Sequence, residues 1–221
     1  QGWTYSGSLC AHWQAGQPLR DDEFVLSTDE KTSIQARLRL HPSLPVAAGQ
    51  PLRVEHEYKR CGACAYLAAL DVHRAKVFGR CEATTGIAPF DRLVDQVMSQ
   101  TPYRDAHTVF WIMDNGSSHR GERSVRRLMQ SYPRLAPVHG PVHASWLNQI
   151  EIYFSIVQRK VLTPNDFPSL ETVAERLSNF ERYFENIAKP FEWKFTRADL
   201  HTLAATMSKR DVNRQSLQRV A

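Results

Sequence analysis

The sequence predicts an α/β fold on a mixed sheet: an antiparallel meander, then alternating αβαβα elements, with extra C-terminal helices. Three observations predict it. Strand-like segments crowd the first half and are joined by short or Pro- and Gly-bearing connections, which suits antiparallel neighbours. From Pro89 onward, helical periodicities alternate with short apolar runs, the pattern of strands joined by crossover helices. Val109-Phe110-Trp111-Ile112-Met113 is an unbroken apolar run of strand length, as in a strand covered on both faces.

Taken in order, residues 24–28, 34–40, 54–59, 65–70 and 74–80 read as strands, with 41–51 a loop between the second and third. Gly62, inside Cys61-Gly62-Ala63-Cys64, reads as a hairpin turn between two of them. Pro89 opens a helix through Ser99 that turns Leu93, Val94 and Val97 inward. A strand at 107–113, a helix at 121–130, a strand at 135–138 and a helix at 146–160 follow. Ser145 can cap the last helix, and Leu147, Ile150, Phe154, Val157 and Val161 form its apolar stripe. Two further helices, 170–186 and 197–207, precede a polar tail. The expected division is a linker or remnant at 1–23, a catalytic core at 24–162, and a helical extension with a basic tail at 163–221.

At 221 residues the chain can bury one substantial core. Its 42% hydrophobic and 23% charged residues are ordinary for a globular protein. A net charge of +5 and a pI near 9.1 point to an anionic partner, nucleic acid foremost. No apolar run approaches the roughly 18 residues of a membrane span, and no signal peptide opens the sequence. No membrane partner is expected, and a cytoplasmic, nucleoid-associated location is. Of four cysteines only Cys61 and Cys64 are close in sequence, and a lone CxxC reads as structural before it reads as zinc. His139 and His143 are separated by Gly140 and Pro141, so they cannot share a helix face as metalloprotease histidines do.

Three carboxylates stand out. Asp29 closes the strand Phe24 to Thr28, Asp114 closes the apolar run at Met113, and Glu151 lies in the helix after Ser145. Each has an ordinary reading: Asp114-Asn115-Gly116 can form a turn, Glu151 can be a solvated helix residue, and Asp29 a loop acid. Ligands in open α/β sheets, however, bind at the carboxyl ends of strands. Two strand-end aspartates and a helical glutamate form an all-oxygen set suited to magnesium. Two such ions, about 4 Å apart, stabilise both the attacking and leaving oxygens of a displacement at phosphorus. Asn148, three residues before Glu151, shares its helix face.

Asp29-Glu30, Asp114-Asn115 with His119, and Ser145-Trp146-Leu147-Asn148 leading to Glu151 resemble motifs of a known family. Glu57-Tyr58-Lys59-Arg60-Cys61-Gly62 and the stretch from Pro190 to Thr196 add to the likeness. The sequence resembles a bacterial insertion-sequence transposase of the mariner-related DDE superfamily, over about Phe24 to Leu200. That resemblance implies a ribonuclease H-like (retroviral integrase-like) core with Asp29, Asp114 and Glu151 as the catalytic and metal-holding triad. It implies two Mg2+ or Mn2+ ions, phosphodiester hydrolysis at the element's ends, and transfer of the freed 3′-hydroxyl to target DNA. Asn148 and His119 would position phosphate or support the triad. A homodimer would serve to join two ends.

Arg120, Arg123 and Arg127 follow the Asp114 turn, and Lys194 and Arg197 lie near the C-terminus. They are candidate phosphate contacts, and equally ordinary surface charges. The family's end-recognition region is an N-terminal helix-turn-helix. Few residues precede Phe24, so a catalytic domain alone, or the product of a truncated or split element, is expected. Two other readings stay open: a ribonuclease H-like metal nuclease without strand transfer, and a non-catalytic DNA-binding remnant.

Overall fold

β3 (Glu23–Arg39) is the strand around which everything else is arranged. Its Phe24-Val25-Leu26 run is buried on both sides of the sheet, even positions toward one layer and odd toward the other. The structure is a computed structural model that describes residues 13–14, 17–114, 122–139 and 148–190. The chain divides into two units, Gln1–Pro190 and Phe191–Ala221, and the second lies outside the described residues, with the expected helix at 197–207.

Ahead of β3, β1 (Trp13–Gln14) and β2 (Gln17–Pro18) form a small antiparallel pair. β4 (Tyr58–Asp71) and β5 (Lys76–Glu82) run antiparallel beside β3, while β6 (Thr108–Met113) and β7 (Leu135–His139) run parallel on its other side. The sheet order is β5-β4-β3-β6-β7. This is the mixed α/β sheet expected, a three-stranded meander extended by two crossover strands. No described helix is long and apolar enough to cross a membrane.

One layer, made by α1 (Ile87–Met98) and α2 (Glu122–Ser131), covers Phe24, Leu26, Leu67, Phe78, Val109 and Trp111. Phe90 of α1 meets Trp111 edge-on at 6.1 Å, a geometry aromatic quadrupoles favour. On the opposite side stand α3 (Ile150–Lys160) and α4 (Leu170–Ile187). Ile150, Phe154, Val157 and Val161 of the expected stripe are buried, and Tyr153 joins them. Leu147 and Ser145 lie outside the described residues.

The expected strand boundaries need correcting. The strands expected at 24–28 and 34–40 are one, β3, and the strand expected at 65–70 begins already at Tyr58 to make β4, while 54–57 of the strand expected at 54–59 lie outside any strand. Consequently Gly62 is no hairpin turn. It sits within β4 at φ +110, and a Cβ there would meet the Leu170 side chain at 3.0 Å, so glycine lets the start of α4 dock on the strand. The joining of the β3 halves is accompanied by register shifts between Lys31 and Ile34 and between Gln35 and Arg37. Such bulges let a long strand bend while it stays paired. α4, in the expected helical extension, packs on the same unit: Val173, Leu177 and Phe184 are buried, and Phe184 packs on Tyr153 at 5.0 Å, within the compact unit Gln1–Pro190.

Candidate active site

The last pair of the parallel β3–β6 ladder is Ser27 with Ile112. Asp29 lies two residues further along β3, and Asp114 follows directly after β6 ends at Met113, both past the point where the ladder stops. Both lie on the face of Val25 and Phe110, the side that α3 covers. Thr28 donates its hydroxyl to the Ile112 carbonyl at 2.9 Å, which keeps the two strands together there.

Glu151 reaches the same place through a tertiary helix cap. α3 begins at Ile150, later than the expected residue 146, and its N-cap Gln149 supplies no side-chain hydrogen bond. The first-turn N–H groups of a helix lack partners within it. Here Ile150 N donates to Ser27 Oγ at 2.9 Å, while Ser27 Oγ donates to Asn148 Oδ1. Asn148 Nδ2 then donates to the Thr28 carbonyl at 2.7 Å. Ser27 is 0% exposed and Asn148 7%. Asn148 is thus a buried positioning residue that fastens the glutamate helix to the strand carrying Asp29. Ser27 was missed in the sequence, although a serine inside the buried run Phe24-Val25-Leu26 was a signal of an internal hydrogen-bond partner.

The electrostatics confirm that the three acids share one field. Burial, aided by the nearby charges of Asp114, Glu151 and Glu30, lifts Asp29 to a pKa of about 7 against the lowering effect of the Glu30 N–H at 2.7 Å. Asp114 is half-buried and Glu151 exposed. Among the described residues no three His, Cys, Asp or Glu side chains are gathered tightly enough to hold an ion as they stand. The donor set still fits a hard divalent cation: it is all oxygen, and the repulsion of Asp114 and Glu151 on the half-buried Asp29 is what a cation relieves. The strand end expected at Asp29 is not there, since β3 continues through it to Arg39.

The other sequence candidates fall differently. Arg127 pairs with Asp91 of α1 at 3.2 Å, which braces α2 against α1. Arg123 lies on α2, with its side chain outside the described residues. His119, Arg120, Lys194 and Arg197 are outside them too, as is His143. His139 ends β7, buried beside Met113. Cys64 is buried and its thiol, like that of Cys81 on β5, is free, a hydrogen bond from the Cys81 thiol lowering its pKa, whereas Cys61 faces the Lys59 carbonyl at 3.8 Å.

A family model described as DDE superfamily endonuclease matches residues 25–174, which takes in Asp29, Asp114 and Glu151. The chain belongs to the DDE superfamily endonuclease family. Membership makes it an endonuclease domain of that superfamily. No curated protein matches the sequence. Among solved structures, the fold is similar to that of the Mos1 mariner paired-end complex with Mn, at TM-score 0.52 and 17% identity, covering 73% of this chain and 50% of that one. It is similar also to the Mos1 transposase paired-end complex with the left transposon end, at TM-score 0.53 and 18% identity over 73% and 49%. The Mos1 strand transfer complex matches at TM-score 0.51 and 16% identity, again over 73% and 49%. This chain spans about half the length of those chains, and the likeness is one of ribonuclease H-like fold.

Proposed function

We propose that this domain cleaves DNA phosphodiesters at the ends of a mobile element and joins the freed 3′-hydroxyl to target DNA, with Asp29, Asp114 and Glu151 as its catalytic residues. The observation that carries it is that Asp29 of β3 is raised to about 7 by burial, with the charges of Asp114 after β6 and of Glu151 on α3 adding to the rise. Together they would hold two divalent cations, magnesium or manganese. Bound there, the cations supply Lewis-acid polarisation of phosphoryl oxygen and a water ionised near neutral pH.

The chain's own part is positional. β3 holds Asp29 and the end of β6 holds Asp114 on a rigid sheet, and the Ser27–Asn148 clasp fixes where Glu151 enters. In hydrolysis, water attacks phosphorus and the 3′-oxygen leaves, taking a proton. In joining, that 3′-hydroxyl attacks a target phosphodiester and a target oxygen leaves. Both are in-line displacements at one site, so the acids are needed for both. DNA is the partner, and a homodimer would bring two ends together. His119, Arg120, Arg123, Lys194 and Arg197 belong to the same reading as supporting and phosphate-contacting residues, and Asn148 as the residue that places Glu151.

The test is Mg2+- or Mn2+-dependent nicking of supercoiled plasmid by this chain beside Asp114→Asn. Cleavage by the wild type alone supports the triad, and recovery of target DNA joined to a 3′ end separates transposase from plain nuclease. Equal cutting by both proteins would remove the basis for the site.

A further inference from the structure

Lys31 stands two residues past Asp29, where β3 still pairs regularly with β4, so both side chains leave the same face of the sheet about 7 Å apart. Lys31 opens a groove of about 520 Å3 whose other walls include Arg37, Arg39, His56, Gln158 and Asn165. No carboxylate lines it among the described residues. On α3, Gln158 lies seven residues beyond Glu151, two turns and about 10 Å along the same side of the helix. The groove thus begins beside the acidic centre and runs away from it.

Its cations are prearranged. Arg37 lies over the Tyr58 ring at 4.6 Å, with Nε donating to Gln35 Oε1 at 3.0 Å, so its two terminal nitrogens keep their N–H groups. Arg39 is anchored to the Asn165 carbonyl at 2.8 Å and to the Glu55 carbonyl. Lys31 makes no ion pair among the described residues. Asn165 braces the wall by accepting from Arg37 N at 3.1 Å and donating to the Gln35 carbonyl at 2.7 Å. A concave, carboxylate-free track with fixed cations suits a chain of phosphates.

We propose that this groove carries the phosphate backbone of the DNA strand that reaches Asp29, with Lys31 and Arg37 as its phosphate contacts. The proposal rests on the reading above that the acidic centre acts on DNA.

The test is equilibrium binding of the full chain to a short duplex in EDTA, at salt concentrations between about 50 and 200 mM. Each phosphate contact contributes about 0.9 to the slope of log K against log salt. Lys31→Ala and Arg37→Ala should each flatten the slope by about that amount. Gln158 is exposed and its replacement leaves the core intact, so Gln158→Lys should steepen the slope and tighten binding while Gln158→Glu does the reverse. Unchanged slopes in Lys31→Ala and both Gln158 variants would overturn the groove, as would failure of the wild type to bind duplex. Unchanged slopes with normal metal-dependent nicking would remove the groove and leave the cleavage reading standing. Shifted slopes without any wild-type nicking would keep the groove and remove the cleavage reading.

Discussion

Asn148 Nδ2 donates to the Thr28 carbonyl at 2.7 Å, and this bond sets the glutamate helix against the residue that precedes Asp29. With Ser27 Oγ accepting from Ile150 N at 2.9 Å, it makes a closed polar clasp between β3 and the start of α3. Asn148→Ala would leave the Ser27 hydroxyl and Thr28 carbonyl short of partners, at about 1–3 kcal/mol for each buried group so exposed to loss. Nicking should fall on the order of 100-fold at temperatures where the variant remains folded, because displacement of a catalytic group by about 1 Å has that effect. Chemical denaturation and plasmid nicking measured side by side check this. Wild-type nicking by Asn148→Ala would show that the clasp does not position Glu151.

Asp29 titrates at about 7 instead of its ordinary 3.8. Between those values the native chain holds a proton that the unfolded chain has released, so metal-free stability declines as pH rises through the window. The penalty is absent below about pH 4 and complete above about pH 7, at no more than ~1.4 kcal/mol per pKa unit before solvent screening. Asp29→Asn should flatten that dependence and stabilise the metal-free chain at pH 8, while abolishing nicking. Cation binding needs the ionised carboxylate, so nicking at limiting metal should fall as pH drops through about 7, with a midpoint that moves down as metal is raised. Denaturation curves across pH, with and without the substitution, decide it.

Gly79 of β5 faces a buried cluster in which Tyr66 Oη donates to Glu181 Oε1 at 2.9 Å and Gly79 N donates to Glu181 Oε2 at 3.2 Å. Burial holds the Glu181 carboxyl above its usual range and pushes the Tyr66 phenol well up. A Cβ on Gly79 would sit 2.3 Å from Tyr66 Oη and 2.4 Å from Glu181 Oε1. Gly79→Ala should therefore cost roughly 1–3 kcal/mol or more by overpacking. It should also loosen α4, which hydrogen exchange of residues 170–187 would show. Wild-type protection there would mean the cluster relaxes without moving the helix.

Arg127 holds Asp91 at 3.2 Å, with both side chains about a third exposed. An ion pair so placed is worth about 0–1 kcal/mol. Arg127→Ala should lower stability by no more than that and change the salt slope of DNA binding less than Lys31→Ala does. A larger slope change for Arg127→Ala would make it a phosphate contact after all.

Much of the candidate site could be picked out in the sequence because apolar runs are bounded there by acids. The run closing at Asp114 does end a strand, β6, whereas Asp29 lies within β3, which goes on to Arg39 because β4 pairs beside it. Glu151 was legible through the apolar stripe of its helix. Ser27 was not picked out, since a hydroxyl in a strand shows its partner only when Asn148, far along the chain, is brought to it. The pairing of Arg127 with Asp91 was not legible, because charge spacing on α2 says nothing of α1. The groove at Lys31 escaped for the same reason: its walls come from β3, the segment before β4, and the end of α3.

Alternation of apolar runs and helical stripes, together with short connections, determined by itself the element types, the mixed sheet and the three acids, because these depend on neighbours within a few residues. The joining of β3 into one long strand, the start of β4 already at Tyr58, the docking of α4 over Gly62, the clasp at Asn148 and the raised titration of Asp29 were decided by tertiary structure alone. Each depends on desolvation and on contacts between segments distant in sequence, and such energies exist only once the sheet and its two helical layers have come together.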